Sequence, residues 1–540
     1  MFIILALFLA GVGGAQGADL LITGARIYTL DEHRPTASAL AVKDGRIVYV
    51  GDDAGAPVGT RMPHLDAHGA TVVPGFIDSH VHMQALGDEL ETFDLRNART
   101  VAEVAAVVGN EAARRKPGEW VRGRGWDQTN WGGRFPSADD LAAAAPANPV
   151  CLSRVDGHAL WVNRKALDLA GITAQTPDPP GGRIVRTATG EPTGVLIDRA
   201  MEVVQQRIPP PTSTEIRSRI ALAAGACISV GLTTVHDAGI TAQELEAYRD
   251  LLAHGELPVR VYAMIGGAGD LWRQYLERGP EIGDRLTVRA IKLIADGALG
   301  SRGAALVEPY SDDPGNTGLM MLTRVQIEQV ARDAKAHGFQ VATHAIGDRA
   351  NRTVLEAYGA ALEGTNSLRF RIEHAQVVAP ADFELFRKFS VIASIQSTHA
   401  TSDMRWAEAR LGPERVKGAY AWRRFLDLGV PVANGSDFPV ESPNPLLGFY
   451  AAITRQDREG QPEAGWFPDQ RMTREEALRS WTLGGAYAAF EERKKGSLVV
   501  GKLGDFVMLS ADIMTIPPRE ILNTRVTMTV TGGDVVYKAR

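Results

Sequence analysis

The stretch PGFIDSHVHM, residues 74–83, decides the fold of this chain. A proline and a glycine precede a short apolar run, in which His80 and His82 stand two residues apart. In an extended strand that spacing points both imidazoles to the same side. Imidazole pairs of this kind suit Zn²⁺, Fe²⁺ or Mn²⁺. The segment therefore predicts a strand that carries metal ligands at its C-terminal end.

Seven further strand candidates follow along the chain, and helical patterns lie between many of them. Most are apolar runs, as expected of parallel strands covered on both faces. They are GLTTVHDAG (231–239), VRVYAMIGG (259–267), RAIKLIADG (289–297), QVATHAIGD (340–348), RFRIEHAQ (369–376), VIASIQSTH (391–399) and VPVANGSDFPV (430–440). Eight such units predict an α/β fold with a closed (β/α)8 TIM-like barrel rather than an open sheet.

Both ends of the chain consist of short alternating strands with turn residues between them. We therefore predict a composite β-sandwich domain from residues 18–74 and 496–540, beside a barrel over residues 75–495. About 150 residues separate the first barrel strand from the second. This stretch is too long for a loop and too apolar to be disordered, which predicts an inserted subdomain at about 85–228.

The first residues have the pattern of a secretory signal. Phe2–Val12 is almost entirely apolar, and small residues follow it as far as Gly17. This predicts a signal peptide over residues 1–17 and a periplasmic or secreted protein. The alternative is a buried first strand, because no lysine or arginine precedes the apolar run. The sequence shows no membrane anchor, since no later apolar stretch is long enough to span a bilayer.

The composition is that of an ordinary soluble globular protein, with 45% hydrophobic and 23% charged residues. A net charge of −6 without a basic block argues against nucleic acid as a partner. Cys151 and Cys227 make no disulfide framework and are interpreted as buried thiols. The expected partner is a small-molecule substrate, and the sequence leaves a homo-oligomer open.

The later strands carry more residues of metal-ligand type. His344, His374 and Asp437 lie toward the C-terminal ends of their strands, and Lys292 lies inside an apolar strand. Barrel enzymes hold their chemistry at these strand ends. Each histidine alone is more simply explained as a hydrogen-bonded core residue, and a lysine in an apolar strand must find a partner or lose its charge. The six residues together favour a metal centre.

The chain resembles the amidohydrolase superfamily, and specifically the amidohydrolase-3 branch of YtcJ-like proteins. The resemblance covers nearly the whole mature chain and is carried by PGFIDSHVHM, GEWVRGRGWDQTNW, RVDGHALWVN, GLTTVHDAG, IKLIADGALGSRGAAL, THAIGDRANRTVL, RIEHAQ and NGSDFPVESPNP. It implies that the metal ligands are His80, His82, Lys292, His344, His374 and Asp437. It also implies that Lys292 is carboxylated and bridges two divalent ions, with zinc expected and iron or manganese as alternatives.

The reaction implied by the resemblance is hydrolysis of a non-peptide C–N (amide) bond by a metal-bound hydroxide, with Asp437 as the catalytic proton carrier. N-acyl and N-formyl compounds are candidate substrates. A second interpretation is a hydrolase of small peptides or esters on the same centre. A third, of another class, is a catalytically silent ligand-binding protein, against which the complete set of six ligand residues argues.

Substrate recognition is predicted less sharply by the sequence. The candidate substrate-binding residues are Trp126, Asp156, His158, Trp161, Arg302 and His399. The tryptophans could instead form the core of the insertion, and His158 could be part of a structural turn. Arg302 either binds a substrate carboxylate or pairs with Asp296. His399, at the end of the seventh predicted strand, has either a pocket role or a structural one.

Overall fold

The computed structural model describes most of the chain, namely residues 19–57, 62–154, 159–179 and 181–540. The predicted signal peptide, residues 1–17, lies outside the described residues. Within the described ranges, no helix is both long and apolar enough to cross a membrane. The described chain divides into two compact units, of which the smaller is Gly87–Glu215 and the larger contains the residues before and after it.

The larger unit begins with short strands that precede the barrel. They are β1 (Leu20–Thr23), β2 (Arg26–Tyr28), β3 (Thr36–Ala37), β4 (Ala39–Lys43), β5 (Arg46–Gly51), β6 (His64–Asp66) and β7 (Thr71–Pro74). One four-stranded sheet has the order β5-β4-β1-β6. The first barrel strand, β8 (Phe76–Val81), follows directly, and helix α1 (Met83–Glu91) comes after it.

In its described residues, the smaller unit has a six-stranded sheet and three α-helices. Its strands are β9 (Phe93–Asp94), β10 (Val121–Trp126), β11 (Val150–Arg154), β12 (Ala159–Val162), β13 (Gly182–Arg186) and β14 (Pro192–Asp198). Its helices are α2 (Val101–Ala112), α3 (Arg164–Ala170) and α4 (Ala200–Gln205). The order β13-β14-β12-β11-β10-β9 mixes parallel and antiparallel pairs, so the sheet is not a continuation of the barrel's repeat.

The remaining barrel strands alternate with helices. The strands are β15 (Leu232–Ile240), β16 (Arg260–Gly266), β17 (Glu281–Ile282), β18 (Leu286–Ile294), β19 (Gln340–Ala345), β20 (Arg371–His374), β21 (Ile392–Gln396) and β22 (Val432–Gly435). The helices are α5 (Ser213–Ser229), α6 (Ala242–Ala253), α7 (Asp270–Arg278), α8 (Arg324–His337), α9 (Asp348–Leu362), α10 (Phe383–Phe389), α11 (Ser397–Arg415), α12 (Trp422–Asp427), α13 (Pro445–Thr454), α14 (Arg474–Ser480) and α15 (Leu483–Ala488).

Eight parallel strands form the barrel in the order β8-β15-β16-β18-β19-β20-β21-β22, while β17 is a short antiparallel addition to β18. The last strand returns to the first just beyond β22. The backbone N–H of Asp437 donates to the carbonyl of His80 at 2.8 Å, and that of His82 donates to the carbonyl of Phe438 at 3.0 Å. The predicted (β/α)8 barrel is therefore confirmed.

The side chains of β16 show how the sequence builds the barrel wall. Val261, Ala263 and Ile265 belong to the large core cluster that the strands share with the helices. Tyr262 and Met264, the residues between them, belong to a separate small cluster with alanines of neighbouring strands. This alternation is the period of two expected of a strand with two buried faces.

Several barrel helices begin at capping boxes that can be read in the sequence. Thr241 caps α6, Thr323 caps α8 and Thr473 caps α14, in each case with a Glu or Gln three residues later that accepts from the cap's backbone N–H. The reciprocal bonds satisfy backbone donors that the first turn of a helix leaves without partners. They fix the residue at which each of these helices begins.

The C-terminal strands complete the predicted sandwich. They are β23 (Phe506–Leu509), β24 (Val526–Thr531) and β25 (Asp534–Lys538), and they join N-terminal strands in the order β25-β24-β23-β7-β2-β3. Side chains from this sheet and from the four-stranded sheet share one hydrophobic core, which includes Ile22, Leu40, Val72, Phe506 and Val530. The predicted fold class is confirmed in this part as well.

Candidate metal centre

Five different strands bring the six predicted ligands together. His80 lies in β8 and His82 immediately follows it, Lys292 lies in β18 and His344 in β19. His374 is the last residue of β20, and Asp437 follows β22 by two residues. The site therefore lies at the C-terminal end of the barrel, as the fold predicts. The six are His80, His82, Lys292, His344, His374 and Asp437.

The closest approaches among the six join Lys292 to His80, and Asp437 to both His82 and His80. The Lys292 amine lies 2.9 Å from Nε2 of His80. Oδ1 of Asp437 is 3.2 Å from Nε2 of His82 and 3.6 Å from Nε2 of His80. Nitrogen and oxygen atoms of three strands thus face one small volume.

A second group of rings lies beside the first. The His344 and His374 rings have centroids 4.5 Å apart, and those of His80 and His374 are 4.9 Å apart. His399 stacks on His374 at 6.0 Å, with its Nε2 3.9 Å from Oδ2 of Asp437. Asp437 is shared between the two groups.

The ligand atoms are close enough to hold metal. Those of His80, His82 and Asp437 lie within 4.8 Å of one another, and so do those of His374, His399 and Asp437. His399, a predicted substrate-binding residue, is therefore also placed where it could bind a metal ion. It lies in the first turn of α11 rather than at the end of a strand as predicted, because β21 already ends at Gln396.

Neighbouring acceptors fix the orientation of two imidazoles. Nδ1 of His80 is hydrogen-bonded to Oε2 of Glu373, and Nδ1 of His374 to Oε1 of Gln396 at 2.7 Å. Each Nδ1 faces an acceptor, so each Nε2 is left with its lone pair toward the site. This is the arrangement that metal-ligating histidines usually have.

Two buried nitrogens await a partner. Within the described part of the chain, Nε2 of His344 and Nε2 of His399 are buried and make no hydrogen bond. Oδ1 of Asp296 lies 3.5 Å from Nε2 of His344, but its carboxylate is already held by backbone N–H groups of Ile346 and Gly347. Unpaired buried polar atoms are costly, and a set of imidazole and carboxylate donors fits Zn²⁺, Fe²⁺ or Mn²⁺.

The electrostatics prepare the histidines as neutral ligands. Burial, followed by the charge of Lys292, lowers the pKa of His80 to about 4 and that of His344 to about 3. Burial also holds the pKa of His374 well below its usual range. Metal binding requires deprotonated imidazoles, so these three rings need give up no proton at neutral pH.

The pKa values of Lys292 and Asp437 are shifted in directions that suit a metal site. Burial lowers the pKa of the Lys292 amine to about 8, which makes the neutral amine accessible near physiological pH. Burial alone would raise the pKa of Asp437, but its hydrogen bond with His82 and the neighbouring imidazoles hold it well below its usual range. Asp437 is therefore a carboxylate.

The backbone at two of the ligands is unusual. His374 has φ +72° and Asp437 has φ +58°, in the left-handed region that non-glycine residues rarely adopt. Such conformations cost free energy and persist where the surrounding structure demands them, most often at functional sites. His374 ends its buried strand and Asp437 follows its own by two residues, so both lie where the chain leaves the barrel wall.

The predicted substrate-binding residues in the smaller unit are not brought together as the six predicted ligands are. Trp126 and Trp161 are fully buried in the core of the smaller unit, where their rings meet edge to face at 6.0 Å. Each indole N–H donates to a backbone carbonyl, so both tryptophans pack as core residues rather than line an open wall. Asp156 and His158 lie outside the described residues.

Arg302 does not pair with Asp296, the partner that the sequence suggested. Its guanidinium instead makes a two-pronged ion pair with Asp312, with N–O distances of 3.1 and 3.0 Å. Asp296 is buried and bonded to backbone groups, as described above. A substrate carboxylate would therefore have to compete with Asp312 for Arg302.

A cavity of about 160 Å³ opens beside His82. It is lined by residues that include Gln84, Asp237, Gly239 and Glu244. Its volume suits part of a small molecule, and its lining mixes polar and apolar residues.

Sequence reasoning missed Asp78, a residue that supports the ligands. Asp78 accepts from the Ser436 hydroxyl at 2.6 Å and from the backbone N–H of His80, and so ties β8 to the end of β22. Burial raises its pKa to about 7. Asp78 stands two residues before His80, so the same period of two that linked the histidines placed it on their face.

Both the sequence and the structure of this chain are similar to those of known proteins. Residues 64–537 match the family model described as the amidohydrolase family. The YtcJ protein of Bacillus subtilis (strain 168) is 33% identical, over 95% of this chain and 98% of that protein. The N-substituted formamide deformylase of Arthrobacter pascens is 29% identical, over 97% and 99%. A crystal structure of an uncharacterized metal-dependent hydrolase from Pyrococcus furiosus superimposes with a TM-score of 0.77 and 28% identity, over 92% and 100%.

Proposed function

Because the chain belongs to the amidohydrolase family of metal-dependent hydrolases, which act on carbon–nitrogen bonds, we propose that its substrate is a small non-peptide amide of the N-formyl or N-acyl class. The observation that carries the proposal is the convergence of His80, His82, Lys292, His344, His374 and Asp437 on one volume at the barrel's C-terminal end.

We propose that these six residues hold two divalent ions, with zinc as the expected metal. Lys292 would bridge them as a carbamate, formed when its neutral amine adds CO₂. The buried amine and its place beside His80 support this role. Bound divalent ions would supply water of lowered pKa and would polarise the substrate carbonyl.

Asp437 is the group that we assign to proton transfer. Its carboxylate is shared between the His80–His82 pair and the His374–His399 pair, so it faces the volume where water and substrate would meet. As a carboxylate it can accept a proton from water at one oxygen and deliver it to the leaving nitrogen. A positioned carboxylate of this kind contributes roughly 10²–10⁴-fold to such reactions.

The substrate class is supported by two independent observations. The cavity beside His82, with a volume of about 160 Å³, has room for part of a small molecule. The relative from Arthrobacter pascens is named for deformylation of N-substituted formamides and matches this chain along almost its entire length. An N-formyl or N-acyl amine has one carbonyl, which the bound ions would polarise, and one leaving nitrogen, to which Asp437 would deliver a proton.

The test is a substrate panel with the purified, zinc-loaded protein. N-substituted formamides, N-acyl amino acids, cyclic imides, dipeptides and esters would be compared by kcat/KM. We expect the highest value within the N-formyl or N-acyl group. A clear preference for dipeptides or esters would replace the proposal with the second interpretation, and no turnover of any compound would count against it.

The N-terminal residues carry a separate proposal. The apolar run Phe2–Val12 and the small residues after it support export to the periplasm or beyond. N-terminal sequencing of the protein isolated from its native host should begin near Ala18. An intact Met1 on protein from the cytosol would exclude export.

A further inference from the structure

An arginine side chain is buried inside the barrel, beside the proposed metal ligands. Arg371 of β20 has no exposed surface. Its guanidinium is hydrogen-bonded to both carboxylate oxygens of Glu373, to the Ser79 carbonyl, to the Ser394 hydroxyl at 2.7 Å and to Nδ1 of His236 at 3.1 Å. These partners stand on four strands, so one side chain ties together β8, β15, β20 and β21.

Glu373 links this charge to the metal centre. It is fully buried, and its Oε2 accepts from Arg371 and is also hydrogen-bonded to Nδ1 of His80. A carboxylate can only accept hydrogen bonds. Nδ1 of His80 must therefore be the donor, and Nε2 keeps the lone pair that faces Lys292 and Asp437.

Packing alone does not explain such a pair. Taking two charges out of water costs several kcal/mol for each ion, and apolar residues of similar volume often stabilise a protein as well or better. The same chain offers a comparison in Arg260 and Asp505, also a buried ion pair, which joins β16 to the turn before β23. That pair contacts no metal ligand, whereas Glu373 contacts His80 directly.

We propose that Arg371 is a positioning residue, which holds the Glu373 side chain against His80 and thereby fixes Nε2 as the atom that binds metal. Arg371 itself touches neither substrate nor metal. A guanidinium suits this task because its planar fork reaches several acceptors at once. The inference rests on the proposed metal centre.

The experiment replaces each buried ion pair by apolar side chains and measures metal affinity. The double variant Arg371→Met, Glu373→Leu removes the acceptor from His80 but leaves no unpaired charge. The matched control is Arg260→Met, Asp505→Leu. Each full-length protein is stripped of metal, its folding is checked by circular dichroism, and the dissociation constant for Zn²⁺ is measured by competition with a chelator.

We expect the Arg371/Glu373 variant to bind Zn²⁺ about 10–100-fold more weakly than the wild type, the usual loss when the partner of a metal-ligating histidine is removed. The control should keep the wild-type dissociation constant. Wild-type affinity in the Arg371/Glu373 variant, or an equal loss in the control, would overturn the proposal.

A second variant covers the case in which the double variant does not fold. Glu373→Asp keeps both charges but withdraws the carboxylate from His80 by one methylene. We expect it to fold and to bind Zn²⁺ more weakly, and unchanged affinity would again overturn the proposal. Zinc affinity is measured without substrate, so failure of the substrate panel would leave this test intact.

Discussion

The amine of Lys292 lies 2.9 Å from Nε2 of His80. Because Nδ1 of His80 is committed to Glu373, this Nε2 carries a lone pair, and it meets a lysine whose pKa burial has lowered to about 8. The lysine and the histidine come from the fourth and first strands of the barrel sheet. Their approach places an amine of lowered pKa beside a neutral imidazole, the setting in which we propose that a carbamate forms.

Replacing Asp437 by asparagine keeps its size and removes its ability to take up a proton. We expect kcat for the best panel substrate to fall roughly 10²–10⁴-fold, the worth of a positioned acid–base group. Asp250→Asn is a suitable control, because Asp250 forms an exposed ion pair with Arg217. An Asp437→Asn enzyme with near wild-type turnover would refute the proton-transfer role.

His158 remains a predicted substrate contact. His158→Ala should change the order of kcat/KM values across the panel and leave the metal content at the wild-type level. The two quantities are measured on the same preparation. Loss of metal together with all activity would show that His158 is a ligand or a structural residue instead.

The pair of Arg260 and Asp505 predicts how stability depends on pH. Burial alone would raise the pKa of Asp505, but the charge and hydrogen bonds of Arg260 hold it below its usual value. A lowered folded-state pKa stabilises the protein above the unfolded-state value of about 3.9, and that contribution is lost as pH falls through the folded-state pKa.

Asp505→Asn should therefore lose about 3–5 kcal/mol of unfolding free energy near pH 7, because it leaves a buried arginine without its counter-ion. The difference between wild type and variant should shrink as the pH falls below about 4. Chemical denaturation from pH 7 to pH 3 measures it. A difference that grows in acid would contradict the sign of the pKa shift.

Much of the site could be predicted because its ligands stand on regular strands. A period of two placed His80 and His82 on one face, and apolar runs that end in His344, His374 and Asp437 marked the other strand ends. The barrel then needed only its closure to bring them together. Closure itself is a property of the fold, so the residues that share the site followed from the fold class.

The supporting residues could not be assigned in the same way. Arg371 and Glu373 are visible in RFRIEHAQ as two charges on one face of a strand, but the partners that explain them are far away in the chain, at Ser79, His236 and Ser394. The run VIASIQSTH predicts His399 at a strand end, because it gives no sign that a helix begins at Ser397. Trp126 and Trp161 carry no local sign that distinguishes a core indole from a pocket wall.

The metal content of two proteins tests most directly whether Lys292 belongs to the metal centre. Wild type and Lys292→Arg would be purified side by side, equilibrated with Zn²⁺, and analysed by inductively coupled plasma mass spectrometry. We expect about two ions per wild-type chain, as in two-metal hydrolytic sites, and a loss of one or both in Lys292→Arg, since a guanidinium does not take the place of the amine that adds CO₂. A Lys292→Arg protein that keeps two zinc ions would rule out Lys292 as a bridging ligand.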